Sequence, residues 1–346
     1  MQFSKINQIL NKFLISSKSA QHEHALGIEP LNGVPPIWIH GFARSGTTSA
    51  LYRMSSWLGR NGIFEPGHKK YHDKIPGADF GDVVKLMKSV PRLEHWDDFF
   101  IGDGILSCFD TFGSGLGELK QWKRFCSYLD HLYEFSGRNV VIKEIRLFAN
   151  LPALARYHQE RLIDWLFIGI ICSPVVPMNA YYRRGWLSGA QLREYPPQLD
   201  QSNAYRLATF KRLNRFPDLT CLPASSPSEK LLLNCLLDHA ELRRFVSEDP
   251  ENRLLSSLDC LVEALDWITD RTREEIVLHP TSDQRVTRTG HGVDRYFYRD
   301  VIEPLNQPLR DALEAQWGSI HPDSMASTGR YRRYVTSLRH RLFSCS

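Results

Sequence analysis

Several absences narrow what this chain can be. No run of 18 or more apolar residues is present, so no segment has the roughly 20-residue apolar length that a helix needs to cross a bilayer. The first 30 residues lack the continuous apolar stretch of a secretory signal. The seven cysteines, Cys108, Cys126, Cys172, Cys221, Cys235, Cys260 and Cys345, are odd in number and scattered, with no CxxC pair and no metal-ligand spacing. That pattern argues against a disulfide framework or a zinc site and fits reduced thiols, so the expected location is cytoplasmic. There is also little charge bias. Lys plus Arg number 43 against 39 for Asp plus Glu, a net +4 that suits an anionic ligand without requiring nucleic acid. No internal repeat or low-complexity tract interrupts the sequence.

What is present is an ordinary folding composition, 42% hydrophobic and 24% charged over 346 residues, enough for one large α/β domain or two small ones. The most informative stretch is Gly41-Phe-Ala-Arg-Ser-Gly-Thr-Thr48, just after the apolar Ile37-Trp38-Ile39 and just before a helical pattern through Leu51, Met54 and Leu58. Strand, tight turn and helix N-terminus in that order make a phosphate cradle, because backbone N–H groups and the positive end of the helix dipole converge on one point. The Gly41-x4-Gly46 spacing matches a P-loop. Thr47, however, stands where a nucleotide triphosphatase places its lysine, and the nearby cation is Arg44. A guanidinium is always charged and offers two donors to two oxygens.

The string Arg44-Ser45-Gly46-Thr47-Thr48 resembles the donor loop of the sulfotransferase family, which grips the phosphosulfate end of 3'-phosphoadenosine 5'-phosphosulfate (PAPS). The resemblance implies that Arg44 neutralises the leaving phosphate while Ser45, Gly46, Thr47 and Thr48 hold it through hydroxyls and amides. Phe64-Glu65-Pro66, at the end of a predicted second strand, looks like the family's strand-end glutamate, which makes Glu65 the implied catalytic base and His68 the reserve. Lys143 and Arg146, at and past the end of a third strand Val140 to Lys143, resemble the family's basic residues in that segment, which implies that they absorb charge on the departing phosphate. Pairing of Lys143 or Arg146 with Glu144 is the competing structural reading.

The resemblance weakens at the adenosine end. The family marks its 3'-phosphate site with Arg-Asp-Pro and a later serine, and here Cys172-Ser173-Pro174 and Ala180 stand in those places. Ser173 and Asn179 remain as candidate ligands, with Arg288 and Gly290 in Arg288-Thr-Gly-His-Gly292 resembling the late phosphate loop. Since a transferring sulfonate carries a single negative charge, no divalent metal is expected.

The predicted fold is α/β: a P-loop-type parallel sheet flanked by helices, with a helical C-terminal half. A fourth strand is expected over Leu166 to Ile171. Helices are expected over Leu151 to Tyr157, Leu231 to Phe245, Leu258 to Thr269 and Pro304 to Trp317. Pro196-Pro197, Pro223 and Pro227 read as loop breakers. Residues 71–129, rich in glycine and aromatics including Trp96 and Trp122, read either as an acceptor-side lid or as a helical insertion with its own core. Residues 1–30 form an amphipathic helical extension suited to core packing or a homodimer contact, residues 31–325 a single domain, and residues 326–346 a basic tail. The function these features imply is transfer of a sulfuryl group from PAPS to a hydroxyl or amine of a small-molecule, glycan or lipid acceptor. A non-catalytic relative with a decayed nucleotide site is the alternative, and a small-molecule kinase ranks behind both.

Overall fold

The computed structural model describes residues 34–66, 100–101, 106–107, 118–185, 187, 196–277 and 295–317. The chain divides into two units, Met1–Val34 and Pro35–Ser346, and every element named below belongs to the second. Seven strands are described: β1 (Ile37–Gly41), β2 (Asn61–Phe64), β3 (Phe100–Ile101), β4 (Leu106–Ser107), β5 (Val140–Lys143), β6 (Leu166–Ile170) and β7 (Arg253–Ser256). Five form an all-parallel sheet in the order β2-β5-β1-β6-β7, while β3 and β4 pair as a small antiparallel hairpin. Parallel strands need crossover connections, and buried on both faces they read as continuous apolar runs, as Val140-Val141-Ile142 and Leu166-Phe167-Ile168 do.

The helices are α1 (Thr47–Leu58), α2 (Glu118–Ser136), α3 (Leu151–Glu160), α4 (Val175–Arg183), α5 (Pro196–Arg212), α6 (Pro227–Ser247), α7 (Leu261–Thr272) and α8 (Gln307–Trp317), with single turns at Pro217–Thr220 and over residues 295–302. Side chains alternate across the sheet. Ile37, Ile39, Val141, Ile168 and Leu254 pack against α1 and α7 on one face. Trp38, Ile63, Val140, Ile142, Phe167 and Leu255 pack against α2, α3 and α6 on the other. The C-terminal half adds a helical cluster of α4, α5, α6 and α8 around Phe210, Leu236, Phe297 and Leu309.

Two expectations are corrected here. Residues 118–136 form one helix whose Trp122, Phe125, Tyr128, Leu129 and Leu132 recur three and four apart and join the main core, so Trp122 is a core residue and this part of the segment is neither a lid nor an insertion with a separate core. Pro196 and Pro227 do not break structure but open α5 and α6, because a first-turn N–H needs no helical partner. The Pro227 helix carries a full capping box, Ser226 accepting from the Glu229 N–H and Glu229 reaching back to Ser226. Strand β7 is an addition, since no element is expected over Arg253–Ser256 from the sequence. The N-terminal extension, the basic tail, and most of residues 71–117 lie outside the described residues.

Candidate active site

The order β2-β5-β1-β6-β7 reverses direction at β1: the chain leaves β1 toward β2 on one side and leaves β6 toward β7 on the other. Ligands of open parallel sheets bind in the crevice beyond the carboxyl ends of the strands at such a switch point. The turn after β1 and the segment after β6 flank this crevice, since Gly41 and Ile170 are direct partners in the ladder.

The Gly41–Thr48 turn is wound tightly. The Ser45 N–H donates to the Phe42 carbonyl at 3.0 Å, Arg44 and Gly46 both adopt left-handed backbone at φ 71 and φ 94, and the Ala50 N–H donates to the Gly46 carbonyl at 3.0 Å to begin α1. Gly41 is needed for closeness, since a Cβ there would lie 2.5 Å from the Ile170 oxygen and 2.8 Å from Ser45 Oγ. Gly46 is needed for conformation, and a Cβ on it would also run into the Leu258 side chain. The first turn of α1 has no side-chain cap and no acidic residue, so its leading amides are spared for an anion. The Ser45 hydroxyl is shielded from solvent and has no hydrogen-bond partner among the described residues. Thr47 is buried with its methyl toward Gly41, Thr48 is half-buried and Arg44 is exposed.

The second half of the site spans the next two strands: Lys143 ends β5, directly beside β1, and Glu65 follows β2, one strand further and about 10 Å from β1 at the usual spacing. Glu65 follows β2 in left-handed backbone at φ 42, and its N–H donates to the Lys143 carbonyl at 2.7 Å. Its carboxylate forms a buried ion pair with Lys143 Nζ, which also lies 4.1 Å from the centroid of the Phe64 ring. Burial lowers the Lys143 pKa, with the pull of Glu65 acting against that shift. The alternative pairing of Lys143 with Glu144 is not what forms. Glu144 instead turns back on its own backbone, Oε1 accepting from the Ile145 and Arg146 N–H groups at 2.8 and 3.0 Å.

After β6 the chain reads Ile171, Cys172, Ser173, Pro174 and enters α4. Cys172 and Ser173 are buried, and burial pushes the Cys172 thiol well above its ordinary pKa, so it is a packed residue and no nucleophile. Asn179, on α4, is half-buried with a solvent-shielded Oδ1 that has no partner among the described residues. Arg183 and Arg184 are exposed. His68, Arg288 and Gly290 lie outside the described residues.

Sequence reasoning passed over three groups at this end of the sheet. His40, on β1 directly before the turn, sits 2.6 Å from the Glu144 carbonyl through Nδ1, and burial pushes its pKa down to about 3. Ser257, following β7, has a buried hydroxyl with no partner among the described residues. Tyr128 of α2 donates to the Pro66 carbonyl at 2.6 Å. A histidine beside a glycine turn was visible in the sequence, but the other two depend on β7 and α2.

The fold and site together define an α/β protein with a glycine turn at the switch point of a five-stranded parallel sheet and a buried acid–base pair beside it. No protein-family model, curated protein or solved structure matches this chain. Among the described residues, no helix is long and apolar enough to cross a membrane and no group of three or more His, Cys, Asp or Glu is placed to hold a metal ion.

Proposed function

We propose that this chain is a sulfotransferase that moves a sulfuryl group from PAPS to a hydroxyl or amine of a small-molecule, glycan or lipid acceptor. The observation that carries the reading is the pairing of a left-handed Arg-Ser-Gly turn at the switch point with a buried Glu65–Lys143 pair at the end of the neighbouring strands. The turn offers an anion the leading amides of α1 and the Ser45 hydroxyl, and Arg44 within it supplies the positive charge.

In this reading the acceptor oxygen attacks sulfur in line with the bond to the nucleotide phosphate. The acceptor proton passes to the Glu65 carboxylate, the sulfur–oxygen bond to phosphate breaks, and the electron pair leaves on the phosphate oxygen. Arg44 and the α1 amides absorb that charge, while Lys143 holds Glu65 in place until the proton arrives. Such a loose transfer places most of the demand on positioning and electrostatics. The uncapped first turn of α1 and the Ser45 hydroxyl, which has no partner among the described residues, support binding of the donor's 5' end. The 3' phosphate is matched less well, because Cys172 and Ser173 bring no charge to the end of β6; the resemblance gives that role to Arg288 and Gly290, which lie outside the described residues.

A second reading has one observation in its favour: the uncharged, buried Cys172-Ser173 pair where a nucleotide 3'-phosphate would be bound. It makes the chain an anion-binding protein without transferase activity. The test is to incubate the protein with PAPS and a metabolite extract and search by mass spectrometry for products heavier by one sulfonate. Such products, lost on Glu65→Gln, support the transferase. Their absence under conditions where 3'-phosphoadenosine 5'-phosphate binds favours the second reading, and failure of that nucleotide to bind rejects the first.

A further inference from the structure

Helix α2 is left over once the proposed chemistry is assigned. Most of its buried face does ordinary core work, and Trp122, Phe125, Leu129 and Leu132 contact sheet residues such as Trp38, Ile63 and Ile142. Tyr128 is different. Its ring is fully buried, and a buried tyrosine hydroxyl has to find an acceptor. The acceptor is the Pro66 carbonyl, 2.6 Å away, one peptide beyond Glu65.

That position is mechanically sensitive. Glu65 is held in left-handed backbone, which is strained for a residue with a side chain and persists only where neighbours fix it. The next residue, Pro66, has no N–H with which to anchor the turn, so its carbonyl is the backbone group available on that side. From β5 the turn is held by the Glu65 N–H to Lys143 carbonyl bond and by the Glu65–Lys143 ion pair. From α2 it is held by Tyr128.

We propose that Tyr128 is a positioning residue for Glu65: its hydrogen bond to Pro66 fixes the turn that presents the carboxylate at the end of β2. The catalytic part of this inference rests on the sulfotransferase reading, and the positional part does not.

The test compares Tyr128→Phe with Tyr133→Phe. Tyr133 lies on the same helix and is also buried, but its hydroxyl accepts from Trp38 Nε1 at 2.8 Å and meets His158 Nε2 at 2.6 Å, away from Glu65. Amide hydrogen exchange at Glu65 is measured relative to Glu144, whose N–H donates to the Ile39 carbonyl and serves as an internal reference. In Tyr128→Phe the relative exchange at Glu65 should rise at least tenfold, kcat should fall at least tenfold, and affinity for 3'-phosphoadenosine 5'-phosphate should stay within twofold. In Tyr133→Phe, relative exchange at Glu65 and kcat should both stay within twofold of wild type. Equal exchange at Glu65 in the two variants overturns the proposal, as does faster exchange with unchanged kcat. A wild-type protein that makes no sulfonated product overturns the functional reading, and the exchange comparison still decides whether Tyr128 holds the turn.

Discussion

Glu65 and Lys143 are joined twice: the Glu65 N–H donates to the Lys143 carbonyl at 2.7 Å, and the Glu65 carboxylate pairs with the Lys143 ammonium of the same residue. Both side chains are buried, so the pair stands or falls as a unit. Lys143→Met leaves an unpaired carboxylate in the interior and should destabilise the protein by about 3–5 kcal/mol, whereas the double variant Glu65→Gln/Lys143→Met should recover most of the loss. Urea unfolding of the single and double variants reads this directly. Additive losses would mean that the two groups do not interact.

Glu65→Gln alone keeps the shape of the side chain and removes its ability to take a proton. Turnover should fall by a factor on the order of 10² to 10⁴ with nucleotide affinity near wild type. Full activity in this variant would transfer the role of base to His68.

The donor turn gives a prediction about stability. Gly46→Ala meets two obstacles, the φ of 94 and the Leu258 side chain, and should cost about 1–3 kcal/mol. Adding Leu258→Ala should return only the steric share, because the backbone strain remains. Complete recovery in the double variant would show that the left-handed conformation is not required.

Three buried imidazoles make stability depend on mildly acidic pH. His40, His158 and His239 each have a pKa pushed down to about 3 by burial, against an ordinary value of 6.5. Below pH 6.5 the unfolded chain takes up protons that the folded chain refuses until about pH 3, so folding stability falls as pH drops through that window. With all three titrating, the slope approaches roughly 4 kcal/mol per pH unit. Urea unfolding between pH 7 and pH 5, above the range of ordinary carboxylates, should show the decline, and His158→Gln should reduce the slope by about a third. A flat profile would contradict these burials.

Much of the fold was legible because it is local. The Gly41-x4-Gly46 spacing after Ile37-Trp38-Ile39 marks strand, turn and helix together, and the short apolar runs at Val140 and Leu166, rich in Val and Ile, read as buried strands. The sequence leaves residues 118–136 open between a lid and a helical insertion although Trp122, Phe125, Leu129 and Leu132 carry a helical period, because Gly113, Gly115 and Gly117 directly precede them. Strand β7 was missed for a physical reason: Arg253 opens it, and only the fold reveals that its guanidinium is absorbed by the Phe245 carbonyl at 2.7 Å and that ring's face at 3.9 Å. The Glu65–Lys143 pair links residues 78 positions apart, and no local pattern encodes such a partnership. A lysine ending an apolar strand was its one trace in the sequence.

The central claim is that the Arg44–Thr48 turn binds the 5' end of an activated-sulfate nucleotide. Titration calorimetry with 3'-phosphoadenosine 5'-phosphate on wild type and on Arg44→Ala tests it most directly. The account predicts micromolar binding by wild type, none of ATP, and at least tenfold weaker binding by the variant, about 1.4 kcal/mol. Equal affinity in the two proteins, or no heat with the wild type, would contradict it.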